Sequence, residues 1–120
     1  MINLTQEQYD NNVKLIEALH SGKYKQGTGR LRRDDTFCCL GVACDLIDPS
    51  GWNGNSYIEQ NESISAYLAP NSIINKYGFN CGRGFDLNNH TLSSLNDNGK
   101  SFKEIADMLE QFLKKEVQIV

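Results

Sequence analysis

Lys23, Lys25, Arg30, Arg32 and Arg33 stand within a stretch that holds no acid and turns on Gly27 and Gly29. Guanidinium groups offer paired N–H donors that match phosphate oxygens, and glycine-rich backbone can line an anion-binding concavity with its own N–H groups. The chemistry this pattern offers is capture of a small phosphate-bearing ligand. Lys23, Lys25, Gln26, Gly27, Arg30 and Arg32 would make the contacts. Trp52, with Tyr57 and Tyr67 as further candidates, would stack on a base. Asp97 would be the carboxylate that holds Arg30 or Arg32 in place. "GTGRLRR" fits neither a phosphate-loop nor a dinucleotide fingerprint. A cation run of this kind also occurs as plain solvated surface, and the residues alone leave both readings open.

The thiols offer a second kind of chemistry. Cys38, Cys39, Cys44 and Cys81 lack the paired C-x₂-C spacing of structural zinc sites, so a metal would have to gather Cys44, Cys81 and His90 across the chain. A nucleophilic thiolate would need a helix N-terminus, a cation or a base such as His20 or His90 beside Cys38 or Cys39. Compact buried packing is the third role, and it fits the small-residue run "CCLGVAC" best. No metal and no cofactor is expected.

Composition narrows the classes. At 120 residues, 39% hydrophobic and 22% charged, the chain reads as one globular domain with enough core to fold without crosslinks. A formal net charge of −3 argues against binding a nucleic-acid polymer. With no basic-then-apolar leader and no long apolar run, membrane spanning and export are not expected, which makes the cytoplasm the expected compartment and reduced thiols the expected state.

The elements that must position these residues follow from local signals. Thr5 with Gln8 forms a capping box before a helix over 6–20, ended by Ser21-Gly22, and Ser101 with Glu104 repeats it before a last helix striped by Ile105, Leu109 and Phe112. A buried helix is expected over 38–46, with Gly41 and Ala43 admitting close neighbours while Leu40, Val42 and Leu46 supply bulk. Two short extended arms should flank Asp34-Asp35. A hairpin over 51–59 should turn at Asn53-Gly54, and short helices should follow caps at Asn71 and Thr91. The expected fold is a single α+β domain over 1–120, with terminal helices packed on a central buried helix and a small antiparallel sheet.

"KYKQGTGRLR", "FCCLGVACDLI" and "LSSLNDNGKSFKEIADMLEQ" together resemble a group of small uncharacterised bacteriophage and prophage proteins. Gln26, Gly27, Arg30, Leu31, Cys39, Leu40, Gly41, Val42, Asn96 and Asp97 match its pattern. The resemblance implies phage origin and action in a bacterial cytoplasm against host defence, and it brings no catalytic residue. Under it the leading expectation is sequestration of a nucleotide immune signal. A direct inhibitor of a host protein is the alternative, and an enzyme acting on the ligand through Asp34, His90 or Asp97 the third. Enclosure of a small ligand would also suit a homo-oligomer. Asn96 and Asp97 carry a second reading, as helix-end residues that organise the turn into the last helix.

Overall fold

A computed structural model describes residues 1–58 and 64–120. Helix α1, Gln6–Ser21, begins at Thr5, whose hydroxyl accepts from Gln8 N at 3.1 Å while the Gln8 side chain accepts from Thr5 N at 3.0 Å. It ends at Gly22, whose φ of 76° lies in the left-handed region that glycine enters without strain. Helix α2, Cys39–Ile47, is the central one, with Cys39 to Cys44 buried. Gly41 is required there, because any Cβ would overlap the Leu31 carbonyl. Leu46, expected to add core bulk, lies at the exposed edge of this helix instead.

Helix α3, Asn71–Tyr77, is capped by Pro70 rather than Asn71. Proline's fixed φ places it just before the first turn, so Asn71 becomes the first helical residue. Helix α4, Leu92–Asp97, starts at Thr91, whose hydroxyl accepts from Ser94 N at 3.2 Å. Helix α5, Phe102–Glu116, starts with the second capping box, Ser101 and Glu104. The face carrying Phe102, Ile105, Ala106, Leu109 and Leu113 is buried, and α1 packs against α5, α3 and α2. No described helix is long and apolar enough to cross a membrane.

The strands form small ribbons rather than one antiparallel sheet. β1 (Ile2–Leu4) pairs in parallel with β10 (Val117–Ile119), bringing the two ends of the chain together. β2 (Lys25–Gln26) runs parallel to β4 (Thr36–Phe37), and β3 (Arg32–Arg33) pairs antiparallel with β4 around Asp34, giving the two expected arms and a third. β5 (Trp52–Asn53), β6 (Ser56–Ile58) and β7 (Ile64–Ser65) form the next ribbon. Its first turn is one residue later than expected. Asn53 pairs with Ser56, so Gly54 and Asn55 form the loop, with Gly54 at φ 62° in the first position where a two-residue turn favours glycine. Residue 59, the end of the expected hairpin, lies outside the described residues. β8 (Asp86–Leu87) and β9 (His90–Thr91) close the set through Asn88 and Asn89, both at positive φ.

The thiols pack. Cys38, Cys39 and Cys44 are buried and only Cys81 is exposed. Burial pushes Cys38 up to about 11 and raises Cys39 and Cys44 as well, so all three stay neutral and inert at physiological pH.

Candidate functional site

The arm that carries the cations is held by a polar knot. Gln26 Nε2 donates to Asn96 Oδ1 at 3.0 Å and to Lys100 O at 2.8 Å, and Gln26 Oε1 accepts from Phe102 N at 3.0 Å. Asn96, fully buried, donates through Nδ2 to Gly27 O at 2.8 Å and accepts from Cys39 N, the first residue of α2, at 3.2 Å. Asp97 Oδ1 accepts from Gly29 N at 3.0 Å. One buried asparagine thus joins the arm, the start of α2 and the end of α4, while Gln26 adds the start of α5. A buried amide with its donors and acceptor satisfied in this way specifies one arrangement of the elements around it.

This geometry revises several roles expected from the sequence. Both amide protons of Gln26 are already committed, so it positions the arm. Gly27 N donates to Phe37 O at 2.8 Å and Gly29 N to Asp97, so neither N–H is left to line an anion concavity. Gly27 is instead the residue that lets the arm approach Thr36, since a Cβ there would collide with its side chain. Asp97 holds the loop and not a guanidinium. Among the described residues no arginine pairs with a carboxylate.

The five cations separate by register. Arg32 stands opposite Phe37, whereas Arg33 and Lys25 both stand opposite Thr36 from its two sides, in the adjacent row. Arg32 is committed: its Nε donates to Asp34 O at 2.9 Å and its guanidinium lies 5.5 Å from the ring centroids of both Phe37 and Trp52. Trp52 in turn donates Nε1–H to Asp45 Oδ1 at 3.0 Å and meets Phe37 and Tyr57 edge-on at 5.8 and 5.1 Å. Tyr24 closes this row, its hydroxyl 2.6 Å from Asp45 Oδ2, with burial first and the Asp45 carboxylate second raising its pKa. Trp52 is therefore a half-buried wall of an aromatic row, with the Arg32 guanidinium over its ring. Tyr57 is buried, its hydroxyl donating to Asp48 O.

Arg30 differs from the others. Leu31, fully buried, receives Cys38 N–H on its carbonyl and donates its own N–H to Ala66 O at 2.9 Å, which fixes Arg30 beside the segment that follows β7. There the Arg30 guanidinium lies 5.3 Å from the ring centroid of Tyr67, which is 60% exposed. Its Nε is buried and has no hydrogen-bond acceptor among the described residues. Lys23 is exposed, and Lys25 reaches Asp35 at 3.9 Å with both side chains largely in water, an ion pair worth little.

Other chemistry expected from the sequence finds no assembly. Cys44 is buried while Cys81 and His90 are exposed, so they do not converge. Among the described residues the grouping within metal-ligand reach is His20, Asp107 and Glu110, where His20 Nε2 already meets Asp107 Oδ1 at 3.2 Å. Asp97 is committed to Gly29. Asp34 occupies the exposed β3–β4 turn at φ 54°, its N–H donated to Asn55 Oδ1 at 2.9 Å, and His90 lies exposed on β9.

A small α+β domain built around a cation-bearing arm is the class that fold and site define. The chain belongs to the family described as a domain of unknown function, DUF8296, whose model matches residues 9–79. That span includes the arm and α2 and stops before Asn96 and Asp97. No curated protein and no solved structure matches the chain.

Proposed function

We propose that this protein is a phage-encoded binding protein that captures a small phosphate-bearing ligand, a nucleotide signal of host defence, through Arg30. The observation that carries the reading is the buried, acceptor-less Nε–H of Arg30 on a guanidinium laid against exposed Tyr67. A buried donor without an acceptor costs about 1–3 kcal/mol, so a phosphate oxygen that reaches it as the exposed Tyr67 ring swings aside recovers an interaction the fold leaves unmade. Stacking on Tyr67 holds the planar fork in one orientation, and a nearby aromatic edge suits a ligand that carries a base.

A second reading has its own observation. Ile64, Tyr67 and Leu68 are 65%, 60% and 43% exposed and lie in one short segment beside Arg30, a composition that anchors protein interfaces. A host protein bound there would make this chain a direct inhibitor.

Calorimetric titration against linear nucleotides, cyclic nucleotides and ADP-ribose separates the two. Wild type is expected to bind a member of the panel, and Arg30→Ala to weaken it by about 1.5–3 kcal/mol, roughly tenfold to over a hundredfold, at unchanged melting temperature. Arg30→Lys should rescue only in part, because an ammonium lacks the planar fork. Arg32→Ala should act more on stability than on affinity, since Arg32 is already bonded within the fold. Absence of binding by wild type, with a host protein recovered in equal amount from cells, would replace the first reading by the second.

A further inference from the structure

The segment beside Arg30 is pinned at both ends. Leu31 N–H reaches Ala66 O at 2.9 Å, and Ala69 N–H reaches Gly82 O at 2.8 Å. Along the chain the two ties stand at most about 11 Å apart, the fully extended reach of the residues between them. Gly82 belongs to a tight turn closed by Gly84 N on Cys81 O at 3.0 Å, and a Cβ on it would press on Leu68 Cβ and Ala69 O, each 3.0 Å away. Arg83 is the next residue of that turn. Its carbonyl accepts from Ser93 N at 3.1 Å, which ties the turn to α4, while its side chain is exposed. Among the described residues its guanidinium meets no carboxylate and no aromatic ring. Residues 64–69 contain no acid. Two guanidiniums without a carboxylate partner, those of Arg30 and Arg83, therefore flank Tyr67 and Leu68 from the two ends of one fixed segment.

We propose that Arg83 is a second phosphate contact of the Arg30 site, and that the ligand this site selects carries two phosphoryl groups. The inference rests on the Arg30 reading and adds the ligand's class to it. A single phosphate on Arg30 leaves Arg83 without an anion, whereas a second gives each guanidinium phosphate oxygens to pair with. Among the described residues nothing holds the Arg83 side chain, so it can turn toward Tyr67 while the turn beneath it stays anchored on Ala69 and α4.

The test is calorimetric titration with the monophosphates and diphosphates of the common ribonucleosides, cyclic dinucleotides and ADP-ribose. Wild type is expected to bind a ligand with two phosphates about tenfold or more tighter than any monophosphate. Arg83→Ala should erase that preference and leave monophosphate affinity and melting temperature unchanged, because the side chain is exposed. Arg33→Ala removes an exposed charge from β3 and should keep the preference. Arg30→Ala should weaken every ligand bound. A preference that survives Arg83→Ala, or is lost equally in Arg33→Ala, overturns this inference and leaves the Arg30 reading standing. A monophosphate that binds as tightly as every two-phosphate ligand has the same effect. Failure of wild type to bind any of these ligands overturns the Arg30 reading itself, and this inference with it.

Discussion

Asn96→Ala is expected to destabilise the protein by about 2–4 kcal/mol, because each buried group left without its partner costs about 1–3 kcal/mol and Asn96 serves several. The Gly27 carbonyl loses its donor, and Cys39 N, at the first turn of α2, loses its acceptor. Gln26 keeps Lys100 O and Phe102 N, so part of the arm remains attached. Thermal unfolding followed by circular dichroism should show a fall on the order of 10 °C in melting temperature. Asn96→Asp should not rescue. It retains the acceptor for Cys39 N but turns a carboxylate oxygen toward the Gly27 carbonyl and sets a second charge beside Asp97. A melting temperature unchanged in either variant would remove Asn96 from its role as the tie between arm, α2 and α4.

Leu109→Ala should cost about 2–5 kcal/mol, the range for a buried leucine whose cavity only partly collapses. Leu109 is fully buried on α5, between Ile105 and Leu113 on the same face, where α1 packs. Such a loss is comparable to much of a small domain's total stability, so the variant should unfold early in urea. Lys103→Ala, on the exposed side of the same helix, should leave the urea midpoint within about 0.5 kcal/mol of wild type. Equal midpoints for the two variants would show that the apolar stripe does not face the core.

What was legible in the sequence was local. Thr5 with Gln8 and Ser101 with Glu104 announce their helices because each capping box closes within three residues. Gly41 reveals that something must come close, but not that the neighbour is the Leu31 carbonyl. The tie from Gln26 to Asn96 spans 70 residues, and nothing in the spacing of either motif names the other as its partner. The ribbons of β1 with β10 and β2 with β4 were equally hidden, since two or three residues are too few to show an alternating pattern.

The cation cluster shows the same limit at finer scale. The sequence sets Arg30 and Arg32 together as phosphate contacts, yet pairing with β4 sets Arg32 on the aromatic row and Arg33 beside Thr36. Arg30 is distinguished only by Tyr67, far along the chain. Trp52 is a candidate platform by its aromatic type alone, while its bond to Asp45 depends on where α2 and β5 meet.

The central claim is that Arg30 is the phosphate contact, and its side-chain Nε–H reports on it directly. In ¹H–¹⁵N spectra of the arginine side chains, the Arg30 Nε–H resonance, slowed in solvent exchange by burial, should shift on saturation with the nucleotide that calorimetry identifies. The Arg32 resonance, already donated to Asp34 O, should stay in place. A saturated complex in which Arg30 does not move, or no response to any nucleotide, would contradict the account.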